Sequence, residues 1–224
     1  MEMFENNVLP QVAESAEESS SIVAGNGLLT FFSGVSREDE RFIKDSMRWA
    51  EHQADQRVNR GQAPGFWFEY YSASLQHLGW ELGDPVRVTG REFEGDFLDA
   101  WSMSMARLLS SGRRQQMKKT FQLLEHNPAG FDLFAESVRE WNDFVFSPAY
   151  YNYYKHLEIV ISHVGLLNSQ WAKKYLFWDV EYSRSQLEIY ARRFMNTPKN
   201  MNARRAELAE LVRDMRRNEF ALNQ

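Results

Sequence analysis

Apolar positions recur every three or four residues up to about residue 142, then every second residue, then every three or four again near the end. A helix returns its side chains to one face about every 3.6 residues and a strand every two. The rhythm therefore predicts helices, then strands, then a closing helix.

In "SREDERF", Ser36 is the expected N-cap, with Asp39 three residues on and acidic side chains in the first turn. The helix it opens is expected over 37–60, with Phe42, Ile43, Met47, Ala50 and Ala54 on one face and Gly61 as its stop. A second helix begins near Pro64, a favourable first position. It carries Trp67, Tyr70, Tyr71, Ser74, Leu75 and Leu78 at helical spacing and stops at Gly79. "PVRVTGREF" alternates as a short strand does. Further helices are expected over 93–111 (Phe97, Ala100, Trp101, Met105, Leu108 and Leu109 inward), 113–125 and 131–138, with "NPAG" as a break.

The period then becomes two. In "LEIVISHV", Leu157, Ile159, Ile161 and His163 share one face, and Glu158, Val160, Ser162 and Val164 the other. "KKYLFWDVEY" sets Leu176, Trp178, Val180 and Tyr182 against Tyr175, Phe177, Asp179 and Glu181. With "NDFVFS" before and "LEIYARRFM" after, this predicts a three- to four-stranded antiparallel meander. A last helix over 203–218 has its stripe at Leu208, Leu211, Val212 and Met215. "GLLTFFSG" reads as an edge strand or a plug lying on the body. The expected fold is α+β, with N-terminal helices covering one face of the meander and a C-terminal helix closing it. One domain is expected over 26–224, with 1–25 a flexible acidic tail.

Charge sharpens this picture. The chain has 224 residues and a net charge of −5. No Lys or Arg precedes Arg37, whereas Glu2, Glu5, Glu14, Glu17 and Glu18 do, so the surplus of acid belongs to that segment and the body is neutral. A neutral body offers no general attraction to nucleic acid, and no nucleic-acid partner is expected. Cysteine is absent, which excludes disulfides, thiolate metal sites and a cysteine nucleophile. A basic start with an apolar core segment is missing too, so the expected location is cytoplasmic, or outside the cell by a route without a cleaved signal.

Candidate chemistry is thin. Asp179 and Glu181, two apart on an expected strand, would point to the same side and could hold a hard divalent cation for hydrolysis. A solvated sheet face beside Lys173, Arg184 and Arg192 is the stronger reading of that pair. His156 and His163 are seven apart and would face opposite sides, so they make no metal pair. No Gly-x-Ser-x-Gly turn and no glycine-rich phosphate loop is present. "SSGRRQQMKK" is the most basic stretch, without interleaved aromatics, and reads as a solvated helical face. No cofactor is expected.

The chain is rich in aromatics, with seven Trp, nine Tyr and sixteen Phe. The stretch "YYNYYKHLEIVISH" concentrates them: Tyr150, Tyr151, Tyr153 and Tyr154 straddle a turn into the clearest strand. Tyrosine buries its ring and keeps its hydroxyl wet, which suits the rim of an interface as well as a packed sheet end. With Phe31 and Phe32 of "GLLTFFSG", these form the candidate binding set.

"GVSREDERFIKDSMRWAEHQAD", then "WFEYYSASLQHLGWE", then a helical block, then "KKYLFWDVEYS" and a closing helix resemble an arrangement of poorly characterised bacterial α+β proteins. In those a helix ending Leu-Gly-Trp precedes a small antiparallel sheet. The likeness spans about residues 30–217 and implies fold only, because its motifs are packing motifs. Three functional readings follow, in order. The first is a non-enzymatic interaction or assembly protein that self-associates through aromatic surface. The second is a toxin- or virulence-type accessory protein in contact with membrane. The third is a metal-dependent hydrolase using Asp179 and Glu181.

Overall fold

The computed structural model describes residues 19–93, 97–166, 185–215 and 219–222. A short hairpin, β1 (Ser20–Ala24) and β2 (Gly27–Phe31), precedes two helices, α1 (Arg37–Asp55) and α2 (Pro64–His77). Strand β3 (Glu81–Phe93) follows. Next come α3 (Phe97–Ser104) with a 3₁₀ turn at Met105–Arg107, α4 (Ser111–Glu125) and α5 (Pro128–Trp141). Strands β4 (Asp143–Tyr151), β5 (Leu157–Leu166) and β6 (Ser185–Asn196) lead to α6 (Pro198–Leu211) and β7 (Glu219–Leu222).

The fold is α+β, but its sheet is larger than the expected meander. Among the described residues it has seven strands in the order β3-β6-β5-β4-β2-β1-β7. Strands β4, β5 and β6 pair antiparallel, with β5 directly on β6 rather than on a strand from "KKYLFWDVEY", whereas β2 pairs parallel with β4 and makes the sheet mixed. "GLLTFFSG" is thus neither edge nor plug: β2 lies between β1 and β4, with all five residues buried. An apolar run without alternation is what a strand covered on both faces requires. Ser20–Ala24 was expected within the flexible tail but pairs with both β2 and β7, while residues 1–18 lie outside the described residues. The strand expected in "KKYLFWDVEY" also lies outside them.

Helices cover both faces of the sheet, not one. On one face α3, α4 and α5 pack through Trp101, Phe121 and Phe134 against Phe144, Phe146, Val160 and Val164. On the other, α1, α2 and α6 pack through Ile43, Trp67, Leu75 and Leu208 against Leu29, Ile159, Ile161 and Phe194. The alternation in β5 is as read, with Leu157, Ile159, Ile161 and His163 on the α1–α2 side. Its other side is also dry. Ser162 is buried there and accepts a hydrogen bond from Trp101 Nε1 at 2.8 Å, so a position that looks solvent-facing by residue type is a core position.

Local chemistry sets the helix ends. The Ser36 side chain accepts from Asp39 N at 3.2 Å and caps α1 as expected. The helix stops at Asp55 rather than running to 60, because Asn59 Oδ1 accepts from both Gly61 N and Gln62 N at 3.0 Å and folds the chain into a turn. "NPAG" does not only break a helix. Asn127 caps α5 through Gly130 N at 3.1 Å with Pro128 in the first turn, so α5 begins earlier than the expected 131. Thr197 and Pro198 start α6 in the same way, ahead of the expected 203.

Candidate functional site

A connected group of polar side chains lies inside the molecule, between the sheet and helices α1 and α2. Asn142 takes φ 55° at the end of α5, and the chain turns there directly into β4 with Asp143 as its first residue. Asp143 Oδ1 accepts from Asn26 Nδ2 in the β1–β2 turn, and Oδ2 lies 2.8 Å from His163 Nε2 on β5. Arg60, from the α1–α2 turn, reaches in above them. Its Nη2 is 2.7 Å from Glu51 Oε1, its Nε 3.0 Å from Asp55 Oδ1, and its Nη1 3.7 Å from Asp143 Oδ1. Trp67 Nε1 donates to Asp55 Oδ1 at 2.7 Å. The Trp67 ring centroid lies 4.8 Å from the Arg60 guanidinium and 4.8 Å from the His163 ring.

An aspartate behind a histidine supplies two of the three members of a hydrolytic triad, but a base must reach the proton it takes. His163 is 1% exposed, with the Trp67 and Phe68 rings against it, and its Nδ1 has no hydrogen-bond partner among the described residues. The cluster therefore ties α1, the α1–α2 turn, the β1–β2 turn and two central strands together, rather than exposing a base. No group of three or more His, Asp or Glu among the described residues is arranged to hold a metal ion.

Beside the cluster a small cleft, partly open to solvent, lies between α1, α2, the β1–β2 turn and β7. Its mouth carries two cations from α1. Lys44 Nζ and Arg48 Nη2 hold the two oxygens of Glu219 at 2.7 and 2.8 Å. The Tyr71 hydroxyl and Arg48 Nε are buried there and lack hydrogen-bond partners among the described residues. Burial also pushes the Tyr71 hydroxyl pKa far above the usual tyrosine value, so it stays a neutral donor.

The structure splits the expected binding set. Phe31 is 1% exposed and belongs to the core; Phe32 is half-buried with its ring edge-on to Tyr150 at 6.1 Å. Tyr150 is buried beneath Arg113, whose guanidinium carbon is 3.4 Å from the ring centroid. Burial, then the nearby Glu158 carboxylate, pushes the Tyr150 hydroxyl up to about 12. Tyr151, half-buried on the opposite face, donates to Asp39 Oδ2 at 2.5 Å. Only Tyr153 and Tyr154, at 83% and 75%, are freely exposed. Asp179 and Glu181 lie outside the described residues.

Asp39 makes a pH prediction. Burial alone would raise its pKa, but hydrogen bonds from Ser36, Tyr151 and Arg205 together outweigh burial and hold it below 3.8. A depressed folded-state value means the unfolded chain takes up the proton first as pH falls. Asp39 thus stabilises the fold above about pH 4, and that stability is lost as pH drops through the folded-state value. Asp39→Asn is expected to lower the urea midpoint at neutral pH, with the gap to wild type narrowing as pH falls below about 4. A gap that stays constant across this range would show that the carboxylate charge contributes nothing.

The remaining histidines are dispersed. His52 is 2.8 Å from Gln56 Nε2, His77 stacks on Trp49, and His126 Nδ1 lies 2.6 Å from the Gln122 carbonyl. In the basic stretch, Arg113 covers Tyr150, Arg114 donates to the Leu109 carbonyl, and Lys118 pairs with Asp99. Sequence reasoning missed the Arg60–Asp143–His163 cluster, whose members are far apart in the chain, and placed Arg60 at a helix end. Tyr70, read at helical spacing with Trp67, Tyr71 and Leu75, does not share their burial. Phe66 and Tyr70, one turn apart, are 72% and 49% exposed, and that four-residue spacing was the available signal.

No family model and no curated protein matches the chain. Among solved structures it is similar to one described as "Structure of the Evf virulence factor", with a TM-score of 0.31 and 8% identity over 91% of this chain and 86% of that one. A likeness of that size carries no argument about what this chain does.

Proposed function

We propose that the chain is a non-enzymatic interaction protein that self-associates reversibly through the tyrosine-bearing turn between β4 and β5. The observation behind this reading is a fixed turn that holds two aromatic rings out in solvent. Asn152 Oδ1 accepts from Tyr154 N at 2.9 Å and His156 N at 3.0 Å, while Asn152 N donates to the His156 carbonyl at 2.9 Å. Lys155 takes φ 61° to close the turn. The Tyr153 and Tyr154 rings stand edge to face at 5.4 Å, and Tyr154 leans on His156.

Rigid aromatics lose little entropy on contact, which is why they serve as anchors in interfaces. An edge-to-face pair can be continued by the same pair from a second copy about a two-fold axis. Two tyrosines bury about 300–500 Å² per copy at most. That is well under the ~800 Å² per partner of a stable complex, so the association is weak.

Sedimentation velocity over rising concentration tests this. Wild type is expected to shift toward dimer only at high micromolar concentration, and the Tyr153→Ser/Tyr154→Ser double variant is expected to stay monomeric. Lys155 between the tyrosines and His156 also suits a lipid headgroup layer, so flotation with neutral and anionic vesicles is the second arm. A monomeric wild type that floats with vesicles replaces self-association with membrane contact; a monomeric chain that does not float removes both.

A further inference from the structure

We propose that the cleft between α1, the β1–β2 turn and β7 is a binding site for a small carboxylate, and that Glu219 occupies it as a built-in stand-in. Glu219 marks where the anion sits. Its two oxygens are divided between Lys44 Nζ at 2.7 Å and Arg48 Nη2 at 2.8 Å. Two cations one helical turn apart on α1 thus form a clamp for a two-oxygen anion. A carboxylate fits this clamp better than a phosphate, because Glu51 also lines the cleft and Asp45 sits 3.1 Å from Arg48, and both oppose a second negative charge.

The clamp is not fully served by Glu219. Arg48 Nε and the Tyr71 hydroxyl are buried donors without partners among the described residues, and both residues line the cleft. Tyr71 is 3% exposed. Unmet donors of this kind are uncommon in folded proteins and gain free energy when a ligand oxygen reaches them. A free acid is not tethered to β7, so it can sit deeper than Glu219 does and meet Tyr71. Leu29, Met47, Val145 and the Trp67 ring supply the apolar wall against which the body of such an acid would lie.

Exchange requires little rearrangement. Glu219 is the first residue of β7, and its side chain can rotate away while Phe220 and Leu222 stay packed near Gly130 on the opposite face of the sheet. The site therefore has a closed, self-occupied state and an open one, with the Glu219 rotamer as the switch. An acid must compete with an attached carboxylate, and its apparent affinity falls by the fraction of time the clamp is closed. None of the residues lining this cleft belongs to the β4–β5 turn, so the inference stands whether or not the chain self-associates through its tyrosines.

Calorimetric titration tests it, with benzoate as the probe for a free small acid. N-acetyl-dialanine and its C-terminal amide are the probes for a peptide chain end. The E219Q variant is expected to bind benzoate about tenfold more tightly than wild type, as for a clamp closed nine-tenths of the time. Tyr71→Phe added to E219Q should weaken that binding, and Arg48→Met should abolish it. Tighter binding of the acetylated dipeptide than of benzoate, with none of its amide, assigns the site to a chain terminus and keeps the carboxylate clamp. If E219Q does not fold by circular dichroism, the wild-type titration at millimolar benzoate, with and without Arg48→Met, decides instead. Equal affinity for wild type and E219Q, no binding of either acid at millimolar concentration, or binding that survives Arg48→Met overturns the proposal.

Discussion

Replacing Arg60 with Leu is expected to lower the folding free energy by about 3–5 kcal/mol, the range for breaking a buried ion pair by removing one partner. Arg60 is 4% exposed, and its guanidinium is bonded to Glu51 and Asp55 and lies close to Asp143. Without it three carboxylates face one another around an apolar leucine, with the His163 ring and the Asn26 amide left as partners for Asp143 among the described residues. Removing the cation is costlier than removing a single acid. Glu51→Gln leaves an amide that can still accept from Arg60, and about 1–2 kcal/mol is expected there, as for one charged hydrogen bond reduced to a neutral one. Urea denaturation of both variants at neutral pH measures the pair. A loss under about 1 kcal/mol for Arg60→Leu would mean that water enters the cluster and screens the acids, as it does for surface pairs.

Trp101→Ala carries the second large effect, about 3–5 kcal/mol, the usual cost of deleting a buried indole and leaving a cavity. Trp101 is fully buried on the α3–α5 face, with its ring edge-on to Phe146 at 5.6 Å and its Nε1 on Ser162 at 2.8 Å. Trp101→Phe separates the two contributions. Phenylalanine keeps most of the packing and loses the hydrogen bond, while Ser162 keeps its own bond to the Phe146 carbonyl at 3.3 Å, so about 1–2 kcal/mol is expected. Because a domain is typically stable by about 5–15 kcal/mol, either large replacement removes a sizeable part of the total. Trp101→Phe costing as much as Trp101→Ala would show that the hydrogen bond, not ring volume, governs this site.

These two sites show why some features were legible before folding and others were not. Trp101 sits in a run of inward residues at helical spacing, so its burial follows from sequence; its Ser162 partner does not. The Ser36 cap, the inward face of α1 and the two faces of β5 were legible for the same reason, since each is governed by residues within a turn or two of the chain. The turn at residues 152–156 was also visible as a tyrosine cluster. Which tyrosines it exposes follows from strand pairing: Tyr150 and Tyr151 are inside β4, whereas Tyr153 and Tyr154 fall after its last residue.

The parallel pairing of β2 with β4 joins segments more than a hundred residues apart, and no local pattern encodes it. The same holds for the second helical layer and for the Asp143–His163–Arg60 cluster. Serines and acids that look solvent-facing by type are buried because a distant helix covers them. By itself the chain determined that its main helices and its central strands form and which of their side chains share a face, since neighbouring dihedrals and side-chain spacing decide that. Only the tertiary structure decided which faces meet. Burial of charge becomes favourable only when partners from separate elements arrive together, and the clamp of Lys44 and Arg48 on Glu219 exists only because β7 returns to the hairpin near the start of the described chain.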